Sequence, residues 1–381
     1  MTDSFALVLT GGGARAAYQV GVLRCLARHL PEDSFDVITG VSAGAINAGF
    51  LASRNAPLSD IIEELSEVWR GLHLEDVIRI DFRSLTRHVF GWGTKLVSGG
   101  ARMTRVQGLV DTTPLRELLQ RLFVSNERGE IAGIAENIAR CKPRAVSMTA
   151  LDYTTGQTVT WVDGCNIETW KRPLRRGVRE ALTVDHIMAS AALPIVFPAI
   201  RLGKHWFGDG GIRLSAPLSP ALHLGATRML AISTHYSKSV SEADEPQIPG
   251  YPPPAQILGQ LMDAIFLDVM DEDTLRLQRS NEFLLDLPPE LRRGYRPVDF
   301  LVIRPSQDIG KLAAEYEPRL PRQFRFLTRS LGTRETSNAD FMSLFMFVPE
   351  YLQRLMEIGE ADAEARMVDI ERVARAPVTA V

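Results

Sequence analysis

The chain has 381 residues, 45% of them apolar and 23% charged, and a formal net charge of −3. That length supports a substantial core in one large or two ordinary domains. The small negative charge offers no global basic field for nucleic acid, and no uninterrupted apolar run approaches the ~18–20 residues of a spanning helix. The opening "MTDSF" carries an acid and no basic stretch, so no secretory leader is expected, and the chain reads as cytoplasmic. The cysteines are Cys25, Cys141 and Cys165, an odd number without a Cys-x-x-Cys pair. Neither a disulfide framework nor a zinc ribbon is expected from them, and Cys25 falls on an apolar helical pattern as core filler.

In chain order, "FALVLT" (5–10) is a short apolar run, the pattern of a strand buried on both faces. Three glycines follow, then a helical pattern over 14–30 that places Ala17, Val20, Leu23 and Ala27 on one face. Gly21 within it predicts close contact between this helix and the sheet. "FDVITGVSAGAINAGFLASR" repeats the order of strand, tight turn at 40–44 and helix. Such alternation with short glycine turns predicts a parallel α/β sheet.

Residues 57–125 read as helical and irregular, with a clean helix start at "DTTPLRELLQRLF", where Pro114 sits in the first turn. "RAVSMTALDYTTGQTVTWVDG" predicts a hairpin around "DYTTGQ". "TVDHIMASAALP" predicts a helix stopped by Pro194, and "AIRLGKHWFGDGG" a second hairpin ending in a glycine turn. "RMLAIST" is a further buried strand. The polar, proline-rich stretch at 236–255 reads as a linker or loop between a first unit, 1–235, and a region over 256–381. In that region a long helical pattern covers 256–285, "VDFLVIRPS" is one more strand, and 310–375 is mostly helical, including "FMSLFMFVPEYL" as a buried helix.

Two glycine turns carry the chemistry. "GVSAG" (40–44) is a G-x-S-x-G between a predicted strand and a predicted helix. A serine on so sharp a turn is pushed out at the end of the sheet, and the flanking Gly40 and Gly44 tolerate the crowding. The helix that starts near Ala43 aims its positive end at the same place. The first turn, "GGGARA", is ambiguous. Gly11, Gly13 and Ala16 satisfy a dinucleotide-binding fingerprint, but that reading needs an acid closing the second strand. The second strand ends at Ser42 instead. Bare amides at 12–14 would serve equally as an oxyanion site for chemistry on Ser42, and Arg15 adds a positive charge there.

A serine nucleophile needs a base. Among His29, His73, His88, His186, His205, His223 and His235, none lies in a glycine-rich or otherwise marked loop. The marked acid is Asp209 in "WFGDGG", presented on a turn after a predicted strand, where partial desolvation would raise its pKa to a useful range. The acids Asp268, Asp271, Glu272 and Asp273 lack calcium-loop spacing and read as a solvated helix face.

"GGGARAAYQVGVL", "GVSAGA" and "ASAALPIVFPAI" running into "DGG" together resemble the patatin-like phospholipases, over about residues 5–235. The resemblance implies a three-layer α/β/α fold with a mostly parallel central sheet, and a helical C-terminal extension like that of a bacterial branch. It implies a Ser–Asp dyad with Ser42 as nucleophile and Asp209 as base. Gly11, Gly12, Gly13 and Ala14 would form the oxyanion loop with Arg15 beside it, and no metal or cofactor would be needed. Ala16 and Val41 depart from the Gly and Thr of many members without removing a reacting group. The implied substrate is a phospholipid or other lipid ester, cleaved through an acyl-enzyme. A fold retained only for lipid binding or scaffolding is the alternative, with a dinucleotide oxidoreductase behind it. For docking to an anionic bilayer, the basic and aromatic stretch over 79–105 and "KRPLRRGVR" (171–179) are the candidates.

Overall fold

The computed structural model describes residues 3–30, 35–79, 108–214, 216–244, 269–322, 324–325 and 340–375, with single positions at 251, 257 and 260. Its strands are β1 (Phe5–Leu9), β2 (Val37–Val41), β3 (Ala145–Asp152), β4 (Gln157–Gly164), β5 (Lys171–Arg172), β6 (Arg175–Arg179), β7 (Ile200–Leu202), β8 (His205–Asp209), β9 (Arg228–Ile232) and β10 (Asp299–Ile303). They form one mixed α/β sheet in the order β10–β9–β1–β2–β3–β4–β6–β5, with the β7–β8 hairpin attached to β3. The first five of that order are mutually parallel. The β3–β4 pair and the β7–β8 pair are the two hairpins expected from the sequence.

The apolar run of β1 is buried throughout because both faces are covered. Phe5, Leu7 and Leu9 join the larger core, while Ala6 and Val8 face a smaller one that includes Met229 and Met270. The larger core lies under α1 (Ala17–His29), α2 (Ala43–Ser53), α3 (Leu58–Arg70), α4 (Thr113–Leu122) and α5 (Val184–Ser190). The smaller one receives Met270 from α6 (Val269–Asp286). Alternate strand residues thus feed two cores, which gives the three-layer arrangement.

The C-terminal region does more than add helices. It supplies the edge strand β10, which pairs with β9, and the helix α7 (Pro349–Ala365), which lies along α1. A Cβ on Gly21 would sit 1.9 Å from the Met356 carbonyl oxygen. The close contact expected of Gly21 is therefore with a helix, not with the sheet. The stretch expected as one helix around 341–352 is broken. Asp340–Ser343 makes a single turn, and Leu344–Val348 leaves it as buried irregular chain before Pro349 opens α7. Pro349 keeps Val348 extended, at φ −120 and ψ 120.

Two other expectations are corrected. Cys141 and Cys165 form a disulfide, with Cα atoms 5.7 Å apart. The β3–β4 register pairs Ala145 with Gly164, so the chain entering β3 meets the chain leaving β4. Residue spacing alone did not show that pairing. Cys25 is buried, as expected. The acidic face on α6 is not all solvated: Asp273 is buried and accepts a hydrogen bond from the Leu218 amide, and Asp271 pairs with Arg304. Asp268 and most of the basic stretch over 79–105 lie outside the described residues, while Arg79 pairs with Asp111 at 3.7 Å. "KRPLRRGVR" forms the partly exposed edge pair β5–β6. Among the described residues, no helix is long and apolar enough to cross a membrane.

Candidate active site

Parallel strands end on the same side of a sheet, so β1, β2 and β9 deliver the turns after Leu9, Val41 and Ile232 to one edge. Ser42 is the hinge of the second turn. Its backbone adopts φ 55 and ψ −130, a conformation rare for a residue with a side chain. Ala43 begins α2 directly after it, and the Ser42 amide is held by the Ser190 hydroxyl at 2.9 Å. That hydroxyl in turn donates to the Thr149 carbonyl at 2.7 Å. Gly44 is required by proximity: a Cβ there would lie 2.4 Å from the carbonyl oxygens of both Leu9 and Thr10. The same crowding brings the two glycine turns together, and a Cβ on Gly11 would touch the Ser42 Cβ at 2.9 Å.

Asp209 arrives from a different direction. It ends β8, whose antiparallel register on β3 sets Asp209 opposite Ala150. It is fully buried. One carboxylate oxygen accepts from the Gly211 amide at 2.8 Å. The other, Oδ2, makes no hydrogen bond among the described residues. Burial pushes the Asp209 pKa up to about 7, against the pull of the Ser42 hydroxyl and the Gly211 amide. The Ser42 hydroxyl thus acts on this carboxylate while Oδ2 stays outside ordinary hydrogen-bond geometry. The two side chains are adjacent.

The oxyanion candidates divide. Gly12 (φ 150) and Gly13 (φ 55) hold conformations that favour glycine, and their amides donate to none of the described residues. The Ala14 amide donates to the Leu344 carbonyl at 2.9 Å, and the Arg15 amide to Gly12 at 3.0 Å. The Arg15 side chain is buried and donates through Nε to the Ser343 hydroxyl at 2.5 Å. Gly11 is held from behind, its carbonyl accepting from the Thr234 hydroxyl at 2.6 Å. The structure thus gathers Ser42, Asp209, Gly11, Gly12 and Gly13, with Gly40 and Gly44 beneath. It commits the Ala14 amide and the Arg15 side chain to the segment 343–344.

Ser42, Asp209, Gly12 and Gly13 open on a narrow cavity of about 80 Å³. Its wall is otherwise apolar, with Leu65, Trp69, Leu115, Phe197, Leu344 and Phe347 among its residues. No histidine lines it among the described residues. His186 is buried against Trp161, and burial lowers its pKa to about 4. His205 pairs with Asp152 and His223 stacks on Trp170. Cys25, His29 and Glu364 bring possible ligand atoms within 4.8 Å of one another. Arg28 pairs with Glu364 and Glu360 beside them, a cationic setting poor for a metal. Sequence reasoning missed Ser190, Thr234, Leu344 and Trp69. Ser190 lay inside the quoted "ASAALP" run, while the others carried no local signal.

A sequence model of the family described as Patatin-like phospholipase matches residues 7–222, more than half of the chain. The chain belongs to the patatin-like phospholipase family. Both Ser42 and Asp209 fall inside the matched stretch. Over 222 residues the chain is 29% identical to the cGAMP-activated phospholipase of Pseudomonas aeruginosa, covering 57% of this chain and 55% of the relative. It is 26% identical over 230 residues to mouse calcium-independent phospholipase A2-gamma, covering 57% of this chain and 25% of that protein. The match thus spans between a quarter and about half the length of these patatin-like relatives. Human GIVD cytosolic phospholipase A2, solved with methyl gamma-linolenyl fluorophosphonate, aligns over 98% of this chain and 59% of its own, with 12% identity and a TM-score of 0.45. VipD from Legionella pneumophila aligns over 97% and 67%, with 14% identity and a TM-score of 0.38.

Proposed function

We propose that this patatin-like protein is a lipid acyl hydrolase that cleaves carboxylic esters of phospholipids through Ser42 and Asp209. The observation that carries the reading is the pair itself: a serine on a strained turn and a desolvated aspartate, both facing one apolar cavity. An acyl chain fits the cavity wall, with its ester carbonyl at the Ser42 end. Asp209, its pKa raised by burial, accepts the Ser42 proton as the hydroxyl attacks that carbonyl. The tetrahedral oxyanion rests on the Gly12 and Gly13 amides, with the dipole of the helix at 13–29 behind them. The ester C–O bond then breaks, and the proton on Asp209 passes to the departing alcohol. Water enters, gives its proton to Asp209 and its oxygen to the acyl carbon, and the acid leaves as Ser42 recovers its proton. The lipid substrate places the protein at a bilayer surface as a peripheral visitor.

The test is fluorophosphonate labelling with peptide mapping, followed by ester hydrolysis assays. Label on Ser42 in the native protein, absent in Ser42→Ala and strongly reduced in Asp209→Asn, is the expected result. A folded native protein that takes no label and hydrolyses no ester, with lipid vesicles present, would leave a lipid-binding or scaffold role.

A further inference from the structure

A chain of buried side-chain amides runs from the wall of the cavity to the glycine loop. Trp69, on α3, lines the cavity, and its ring stacks on Phe347 across a centroid distance of 6.5 Å. Its indole Nε1 donates to Asn47 Oδ1 at 2.9 Å. Asn47 Nδ2 donates to Gln19 Oε1 at 3.0 Å and to the Ala16 carbonyl at 3.3 Å. Gln19 Nε2 donates to the Thr10 carbonyl at 2.8 Å and to the Ile232 carbonyl at 3.3 Å. Asn47 and Gln19 are both fully buried.

The chain has a direction. An indole N–H can only donate, so it requires Asn47 to present its oxygen. Asn47 must then turn its NH₂ toward Gln19 and Ala16. Gln19 must answer with its oxygen, which leaves its own NH₂ for Thr10 and Ile232. Each amide proton has one acceptor, and each amide oxygen has a donor. A saturated network of this kind, away from water, has one low-energy arrangement and strongly resists the flipped one. Its far end holds Thr10 and Ala16, the residues on either side of the loop at 11–15.

Resting on the acyl hydrolase reading above, we infer that Trp69 is a positioning residue that sets the oxyanion loop from the acyl-chain wall. Asn47 and Gln19 carry its effect to the loop. The indole is stacked on Phe347 with its N–H on Asn47, and the amides behind it hold Thr10 and Ala16. The loop between those two residues is thereby held at the spacing the oxyanion needs. Loss of the indole N–H is therefore read in kcat and not only in KM, at every chain length.

The experiment is steady-state kinetics on p-nitrophenyl esters from acetyl to palmitoyl, with the native protein, Trp69→Phe and Asn47→Asp, each checked for folding by thermal melting. Trp69→Phe keeps an aromatic wall but removes the donor, and it lowers kcat about tenfold at every chain length with KM within about twofold. Asn47→Asp keeps the acceptor for Trp69 but loses both donors toward the loop, and it lowers kcat by a similar factor at every length. A Trp69→Phe kcat equal to the native value, or an effect confined to KM, overturns the inference while leaving the hydrolase reading intact. If Trp69→Phe fails to fold, an unchanged kcat in Asn47→Asp overturns it alone. A native protein that hydrolyses none of the esters defeats the hydrolase reading, and this inference falls with it.

Discussion

The two glycine turns and the buried segment at 342–348 build opposite sides of one site by different means. The turns are local devices. Ser42 is strained by its own neighbours, and Gly44 is demanded by a carbonyl only a few ångströms away on β1. The segment 342–348 works at long range, more than 320 residues along the chain. It grips the first turn through one main-chain carbonyl, at Leu344, and one hydroxyl, at Ser343. The first kind of part presents the atoms proposed to react, and the second holds them in register. Damage to one should therefore appear in the chemical step, and damage to the other in stability and loop placement.

The sharpest test of the local side is Asp209→Asn, expected to lower kcat about 10³-fold by removing the base. It should also stabilise the fold. The Asp209 pKa in the folded protein lies near 7, above its ordinary 3.8. Its favourable contribution is therefore greatest below about pH 4, is lost as pH rises through 7, and leaves a buried charge at a cost above that. The substitution should raise the melting temperature more at pH 8 than at pH 5, corresponding to roughly a few kcal/mol at the alkaline end. The native kcat should climb through about pH 7 over the same range, so activity and stability move in opposite directions. A melting difference independent of pH would break the assignment of that pKa to Asp209.

Gly13→Ala lies where the two regions meet. At φ 55 its new methyl would sit 2.2 Å from the Leu344 carbonyl oxygen. The loop and the brace cannot both keep their places, and kcat should fall about a hundredfold with a stability loss of roughly 2–3 kcal/mol. Ser343→Ala touches only the brace. It deletes the acceptor of the Arg15 Nε bond in a buried setting, and should cost about 1–3 kcal/mol in thermal or urea unfolding while kcat drops only severalfold. An equal loss of activity in both variants would erase the distinction drawn between the regions. The smallest effect on activity is expected from replacing Cys141 and Cys165 together by serine. The pair closes a span of 24 residues where β3 begins and β4 ends, the edge remote from Ser42. Unfolding should become easier by about 3 kcal/mol, with kcat unchanged.

What was legible in the sequence follows the same division. A strand that must turn sharply into a helix leaves glycines and a small residue at fixed spacing, so the turns at 11–13 and 40–44 and the glycine turn after β8 that begins at Asp209 could be read directly. The β1 run announced its double burial, and the β9 run its place as a buried strand. A grip made by a main-chain carbonyl leaves no such mark, because any residue at 344 carries one. Ala14 and Arg15 therefore read as members of the oxyanion site when one amide and one side chain are taken up by the brace. Trp69, on α3, carried no local signal of its place on the cavity wall. The disulfide was hidden because the hairpin register, not the spacing of cysteines, brings Cys141 and Cys165 together. Gly21 was correctly marked as a point of close approach, but its partner, Met356, lies 335 positions away.

That crossing has a consequence for how the protein can be cut or recombined. Gly21 admits the Met356 carbonyl, and a Cβ on Gly359 would stand 2.2 Å from the carbonyl of Tyr18. The two helices are keyed to one another by reciprocal notches, one in each backbone. A chimera that took its first 235 residues from this chain and the rest from another would need a donor helix notched at the same height. Without it, α1 would be lifted by the width of a methyl group, and the glycine loop at its head would be lifted with it. The boundary that composition suggests at 236–255 is therefore a poor place for scissors.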